Sequence, residues 1–153
     1  MNTLNNDLNV TGLMSCIRNS LNELQLAYTE HSGLSGFTLN FDQENAGEVL
    51  RLCLMAIDEN CILATVRLPF VICLERRKEA LTVANCVNRQ NCFGAVSVDM
   101  ETGHVNFRFS LLLQFNPDTE LLGWWVYQTL EQSMALIPLL KELDVGSIAT
   151  RTS

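Results

Sequence analysis

The spacing of the apolar residues predicts three helices. From Thr11 onward, apolar side chains recur every three or four positions, as on one face of a helix. The members of this stripe are Leu13, Ile17, Leu21, Leu24 and Tyr28. Residues 74–91 return to a helical spacing, although no Ser, Thr, Asp or Asn precedes them as a cap. A third helix is expected after Asn116, which can cap it, with Pro117 at its first position.

Elsewhere the period of the pattern is two, which is typical of strands. Five strands are predicted, over residues 37–41, 48–57, 62–68, 93–99 and 104–115. Short turns join the first three into an antiparallel meander, and a Gly-terminated turn joins the last two into a hairpin. The second strand is apolar almost throughout, apart from Arg51. This favours a central strand that is covered on both faces or that packs one face against a dimer partner.

These elements predict the α+β class. We expect a five-stranded antiparallel sheet with helices, in the order α-β-β-β-α-β-β-α. A chain of 153 residues is long enough for one hydrophobic core. We therefore expect a flexible N-terminus over residues 1–10, a single α+β domain over residues 11–145 and a flexible tail over residues 146–153.

The charge of the chain limits the partners that we expect. The net charge is −7, and the ten Lys and Arg residues are scattered along the sequence except for residues 76–78. Nucleic acid is held mainly by clustered basic side chains, so we expect no nucleic-acid partner. No stretch approaches the roughly 18 apolar residues that span a bilayer, so we expect no membrane partner. Residues 1–7 lack the pattern of a secretion signal, which favours a cytoplasmic location.

No grouping of residues is typical of bond-making chemistry. Ser35 lies in a segment one residue short of the nucleophile-elbow pattern and follows a predicted helix rather than a strand. His31 has no second histidine four residues away, and Cys86 and Cys92 have no nearby histidine to complete a zinc site. We therefore expect no catalytic residues, no cofactor and no metal. The six cysteines are interpreted as reduced, small apolar side chains.

Four residues are candidates for binding a protein partner. Arg76 and Arg77 fall in the first turn of the second predicted helix, where positive charge opposes the helix dipole. They either meet an acidic surface or are solvated and partly offset by neighbouring Glu residues. Trp124 and Tyr127 project from the third predicted helix on the side opposite its apolar stripe, and large aromatic residues are enriched at protein contacts. The alternative is that the N-terminal segment or the tail covers them.

Three asparagines near the end of the second predicted helix have two interpretations. Asn85, Asn88 and Asn91 are spaced three residues apart, which places them on neighbouring positions of one helix face. Their amides either form hydrogen bonds that close the helix or present a polar strip for recognition.

Three segments of the sequence carry a resemblance to a known family. They are Val66-Arg67-Leu68-Pro69, Ala84-Asn85-Cys86-Val87-Asn88, and Phe93-Gly94-Ala95-Val96-Ser97-Val98-Asp99 before Gly103-His104-Val105. Over residues 13–143 the chain resembles the YbjN-like family of bacterial sensory-transduction regulators, whose fold is similar to that of type III secretion chaperones. That family has no established catalytic residues to carry over. The resemblance implies a bacterial cytoplasmic protein that binds other proteins and that can form a homodimer.

Two functions from different classes are consistent with these patterns. The first is a noncatalytic protein-interaction module with a regulatory or chaperone-like role, acting on a protein partner or client. The alternative is a small hydrolase or ligand-binding enzyme with a pocket between the sheet and the helices. A deep cleft with grouped polar residues would favour the alternative, whereas exposed apolar strips and a two-fold contact would favour the first.

Overall fold

The computed structural model describes residues 3–31, 33–42 and 49–143, with the backbone alone for residues 3–9. Its elements in chain order are α1 (Thr3–Glu23), β1 (Thr29–His31), β2 (Gly36–Asp42), β3 (Val49–Asp58), β4 (Cys61–Val71), α2 (Arg77–Gln90), β5 (Ala95–Val98), β6 (His104–Leu112) and α3 (Thr119–Leu140). Short 3-10 turns precede α2 at Leu74–Arg76 and follow α3 at Lys141–Leu143.

The strands form one antiparallel sheet in the order β1-β2-β3-β4-β6-β5. The predicted α+β class is confirmed, and so are the meander over β2, β3 and β4 and the hairpin of β5 and β6. The predicted number of five strands is wrong, because the sheet has a sixth strand, β1, in the part of the chain that the structure describes. That strand has three residues, all exposed, so it leaves no alternation of apolar and polar positions to detect.

The core lies against one face of the sheet. Helices α1 and α3 contact each other there and pack on the central strands β3, β4 and β6. Burial along β3 alternates, since Leu50, Leu52 and Leu54 are buried while Arg51 and Met55 are exposed. The expectation that both faces of this strand are covered within the chain is therefore wrong. Its alternative, a dimer partner on the outward face, stays a prediction.

Several helix boundaries differ from the sequence-based expectation. Helix α1 ends at Glu23, so Leu24 and Tyr28 of the predicted stripe lie beyond it, and α2 begins at Arg77 after a 3-10 turn. Helix α1 begins at Thr3 rather than Thr11. Helix α3 is capped by Asp118 rather than Asn116, because the Leu121 backbone N–H donates to Asp118 Oδ1 at 2.7 Å. The expected flexibility of residues 1–10 stays a prediction, and the expected flexible tail over residues 146–153 lies outside the described residues.

Helix α2 covers the β5 edge of the sheet through the side chain of Asn88. Its Nδ2 donates to the Val96 carbonyl at 2.9 Å, and its Oδ1 accepts from the Val96 N–H at 2.8 Å. One amide thus satisfies both backbone groups that Val96 would otherwise present to a further strand. Asn91 acts similarly on the next loop, where its Oδ1 accepts from the Phe93 N–H at 2.9 Å. Asn85 is exposed.

Replacing Asn88 with alanine tests this edge contact. We expect Asn88→Ala to lower the free energy of unfolding by about 1–3 kcal/mol, because two partly buried backbone groups lose their partner. Asn85→Ala is the matched control, since it removes an exposed amide from the same helix and should change stability by less than about 0.5 kcal/mol. Urea unfolding of both variants measures the difference. Equal losses would contradict the assignment.

Candidate interaction surfaces

The guanidinium group of Arg76 binds Glu79 and the 3-10 turn that follows α3. Its Nε and Nη2 donate to Glu79 at 3.0 Å each, and its Nη1 donates to the Glu142 carbonyl at 3.0 Å. Of the two sequence-based interpretations, the second applies to Arg76, because a neighbouring Glu offsets its positive charge. The ion pair with Glu79 also raises the pKa of Arg76, so the charge is retained.

Arg77 binds backbone carbonyls instead of a carboxylate. It donates to Ile72 at 3.2 Å, to Met100 at 3.1 Å and to Glu101 at 2.7 Å. The side chain thereby ties the start of α2 to the turn between β5 and β6. Both arginines therefore have internal partners, and their contact with another protein stays a prediction.

The outward face of α3 carries an apolar strip, which we call the α3 strip. Its members are Leu121, Trp124, Tyr127 and Met134. Trp124 is 47% exposed and Tyr127 is 63% exposed, whereas the adjacent Trp125 is fully buried in the core. Helical geometry explains the contrast, because a step of one residue turns the side chain by about 100°. Glu120 and Glu131 are exposed on the same side of α3, so the strip also carries two carboxylates.

The side of the sheet opposite the helices, which we call the open face, is a second exposed surface in the described part of the chain. Its residues are those of β3, β4 and β6 that alternate with the core positions. The exposed residues of this face include Arg51, Met55, Arg67, Arg108 and Ser110. Apart from Asp58, at the bulged end of β3 opposite Cys61, these three strands carry no carboxylate on this face. In a chain with a net charge of −7, the charge is therefore strongly segregated.

Arg51, Arg67 and Arg108 form a group on this face, which we call the arginine cluster. Arg51 is directly opposite Arg67 in the β3–β4 pairing. Arg108 is opposite Thr65 and is thus diagonal to Arg67 across the β4–β6 pairing. Sheet pairing thus gathers on adjacent strands three basic residues that are far apart in the sequence.

The arginine cluster has no internal counter-charge among the described residues. Arg18 pairs with Glu30 and Arg76 with Glu79, but none of the three clustered guanidinium groups forms an ion pair or hydrogen bond there. Like charges directly opposite each other in a sheet are destabilising. The arrangement therefore opposes folding.

An apolar region adjoins the arginine cluster at one end of the open face. Here Leu63 is opposite Ser110, one side-chain row beyond Arg108. Leu63, Phe93 and Arg108 share the wall of a cleft of about 490 Å³. Phe93 is 54% exposed and also lines a cleft of about 400 Å³ between the end of α2 and α3. The Phe93 side chain thus lines a cleft on each side of the loop before β5.

Titratable groups elsewhere have ordinary structural roles. Backbone N–H groups of Glu101 and Thr102 donate to Asp99 Oδ1 and lower the pKa of that carboxyl, which holds the β5–β6 turn. Burial raises the pKa of the Cys16 and Cys61 thiols, which disfavours the reactive thiolate. Within the described ranges, no group of three or more His, Cys, Asp or Glu side chains could hold a metal ion. No described helix has the length and hydrophobicity required to cross a membrane.

The sequence-based prediction missed the arginine cluster because its members are distant in the chain. Arg67 and Arg108 alternate with apolar residues in their predicted strands, whereas Arg51 only interrupts the apolar run of its strand. The pairing of β3 with β4 follows from their short turn, but the pairing of β4 with β6 joins strands separated by α2. Without that pairing, Arg108 could not be placed beside Arg67.

Comparison with protein-family models decides the family. Residues 17–142 match the YbjN family model, which is described as "Putative bacterial sensory transduction regulator". The chain belongs to the YbjN family. The family predicted from sequence is thereby confirmed. No curated protein sequence matches this YbjN-family chain.

Solved structures confirm the predicted likeness to type III secretion chaperones. The chain is similar to YbjN from E. coli, with a TM-score of 0.62 and 18% identity over 80% of this chain and 87% of that one. It is also similar to a chain in the complex of the Yersinia pestis type III secretion chaperone SycH with a fragment of YscM2, with a TM-score of 0.57 and 16% identity over 81% and 98% of the two chains. A chain of the ExsC–ExsE complex gives a TM-score of 0.60 and 13% identity over 89% and 96%. At these identities the likeness shows the fold of this YbjN-family protein.

Neutralising one member of the arginine cluster tests the unfavourable charge arrangement in this YbjN-family chain. We expect Arg51→Gln to raise the free energy of unfolding by about 0.2–1 kcal/mol at low salt, because Arg67 loses a like charge directly opposite. Arg89→Gln is the control with the same change of net charge. Arg89 lies in the last turn of α2, where a cation is favourable, so its loss should leave stability unchanged or slightly lower. Lower stability of Arg51→Gln than of the wild type would contradict the expectation.

Proposed function

We propose that this protein is a noncatalytic interaction module with a regulatory or chaperone-like role in a bacterial cytoplasm. It holds a protein partner or client against the α3 strip. The single observation that carries this proposal is the exposure of Trp124 and Tyr127 on the outer side of a helix whose other side fills the core. The chaperone complexes of SycH with YscM2 and of ExsC with ExsE, which have similar folds, support a role in protein binding.

The chemistry of the α3 strip indicates the kind of segment that it accepts. Trp124 and Tyr127 supply broad apolar surface with few rotatable bonds, which makes such residues effective at contact centres. Glu120 and Glu131 lie beside them and are exposed. An apolar partner segment flanked by Lys or Arg would therefore bury its apolar side chains on the strip and place its charges beside the two carboxylates.

Self-association and the roles of Arg76 and Arg77 are further parts of the proposal. A homodimer would have to use a surface that leaves the α3 strip free for the partner. Arg76 and Arg77 orient the start of α2 by their internal bonds, and their outward edges remain available as secondary contacts.

The alternative enzyme function gains no support from the two clefts that Phe93 lines, because neither lies between the sheet and the helices that pack on it.

A photo-reactive side chain at position 127 tests the proposal in the source cell. We expect it to cross-link to one defined protein of different sequence, whose contacting segment then binds the purified chain directly. Trp124→Ala combined with Tyr127→Ala should weaken that binding by about a hundredfold or more, because aromatic residues at contact centres contribute about 2 kcal/mol or more each and these contributions add only in part. Isothermal titration of the purified segment measures the loss.

Leu74→Ala is the matched control for the aromatic substitutions. Leu74 is 69% exposed on the 3-10 turn before α2, so its removal takes away apolar surface outside the α3 strip and should leave binding unchanged. Cross-linking only to a second copy of the chain, or equal affinity of the double variant and the wild type, would overturn the proposal. Native mass at several concentrations reports the homodimer separately.

A further inference from the structure

We infer that the open face is a second binding surface, and that it takes an extended acidic segment of another protein. This goes beyond the partner proposed for the α3 strip, because the open face lies on the other side of the sheet and has the opposite charge. The inference rests on the geometry of the arginine cluster, on the lack of a carboxylate in the side-chain rows of Arg51, Arg67 and Arg108 on β3, β4 and β6, and on the cleft beside it that Leu63 and Phe93 line.

The arginine cluster is compact enough to be contacted by one segment. Adjacent strands lie about 4.8 Å apart, so β3, β4 and β6 together span about 10 Å across the sheet. Arg51 and Arg67 share one side-chain row, and Arg108 lies in the next row. Successive rows are two residues apart along a strand, which is about 7 Å. An extended peptide has the same two-residue repeat, so its alternate side chains match the spacing of the rows.

The neighbouring polar side chains favour carboxylates as the ligands. Asn106 is opposite Arg67, and Thr65 is opposite Arg108, so each of these two arginines has a neutral hydrogen-bonding side chain beside it. A guanidinium group binds a carboxylate through two parallel hydrogen bonds, which also fixes its orientation. The nearest carboxylate on the adjoining strand is Asp42, at the end of β2, and it forms no ion pair with Arg51 in the described residues.

The energetic cost of the cluster is an independent indication of function. The fold pairs Arg18 and Arg76 with glutamates and gives Arg77 three carbonyls, yet it places Arg51 directly opposite Arg67. A local arrangement that opposes folding, without a compensating contact, is expected at functional sites. Carboxylates from a partner would remove the repulsion when they bind.

The order of the rows predicts the order of residues in the segment. Three side-chain rows follow one another along β6. The row of Asn106 is basic because it contains Arg67 and Arg51, and the next row is basic because it contains Arg108. The row of Ser110 contains Leu63 and Met55 instead. Leu63 shares its cleft with Phe93 and Arg108. The segment should therefore carry acidic residues at alternate positions and then an apolar residue that enters this cleft.

Charge complementarity favours an acidic protein segment over nucleic acid. A nucleic-acid backbone carries many charges and is held by an extended basic surface. Here the basic surface is limited to three side chains on a chain with a net charge of −7. Such a chain would repel the phosphates that extend beyond the cluster.

A labelled peptide tests the inference on the full chain. The probe is a fluorescein-labelled dodecapeptide with glutamate at three alternate positions, then phenylalanine and leucine at the next two, and threonine between. The comparison peptide has glutamine in place of each glutamate. We expect fluorescence anisotropy to detect binding of the acidic peptide at about 50 mM NaCl, with weaker binding at higher salt because the contacts are exposed. The glutamine peptide should bind at least about tenfold more weakly.

Charge-matched variants assign the binding to the open face. Arg51→Gln combined with Arg67→Gln should weaken binding of the acidic peptide by at least about tenfold, because each removes a charge-assisted contact. Lys78→Gln combined with Arg89→Gln removes the same charge from exposed positions of α2 and should leave affinity nearly unchanged. Trp124→Ala combined with Tyr127→Ala should also bind the peptide normally. The last result separates this surface from the proposed function of the α3 strip.

Four outcomes would overturn the inference. They are no binding of the acidic peptide by the wild type, equal binding of the glutamine peptide, equal weakening by the α2 control variant, and tighter binding of a labelled oligothymidine through the same arginines. The last would indicate a nucleic-acid site.

Discussion

The structure depends on the burial of one face of an antiparallel sheet by two helices. Helices α1 and α3 both pack on the same side of β3, β4 and β6, and Trp125 at the centre of this contact is fully buried. The hydrophobic contribution of this layer is large enough that the indole N–H of Trp125 is accommodated without a hydrogen-bond partner among the described residues. A two-layer arrangement of this kind leaves two outward surfaces, the far side of each layer.

Those two outward surfaces have different chemistry, and this difference is the basis of the functional account. The α3 strip is aromatic and carries two carboxylates, while the open face is basic with an apolar end. An antiparallel sheet can leave one face to water, but most such faces carry mixed neutral and charged residues. Here the arginines are grouped although grouping opposes folding. The proposed binding of partners by the two outward surfaces accounts for this difference in chemistry.

Much of the fold could be predicted because local patterns determine it. Alternation along residues 104–115 and the helical stripe from Leu13 identify their elements, although β6 ends at Leu112, three residues before the predicted end. The short strand β1 and the choice of Asp118 over Asn116 as a cap could not be predicted, because three exposed residues have no pattern and two neighbouring residues have equal capping ability. Of the candidate surface residues, Trp124 and Tyr127 could be placed on the outer side of their helix from helical periodicity. The arginine cluster could not be predicted without the pairing of β6 with β4, which is a feature of the tertiary structure.

Hydroxyl-radical footprinting of the dilute chain tests most directly the claim that one sheet face is covered and the other is open. The account predicts rapid oxidation of Met55 on the open face and of Trp124 on the α3 strip, with strong protection of Trp125 between the layers. The modification rates should be the same at all concentrations at which the chain is monomeric. Protection of Met55 equal to that of Trp125 in the monomer would show that the open face is covered within the chain, and would contradict the account.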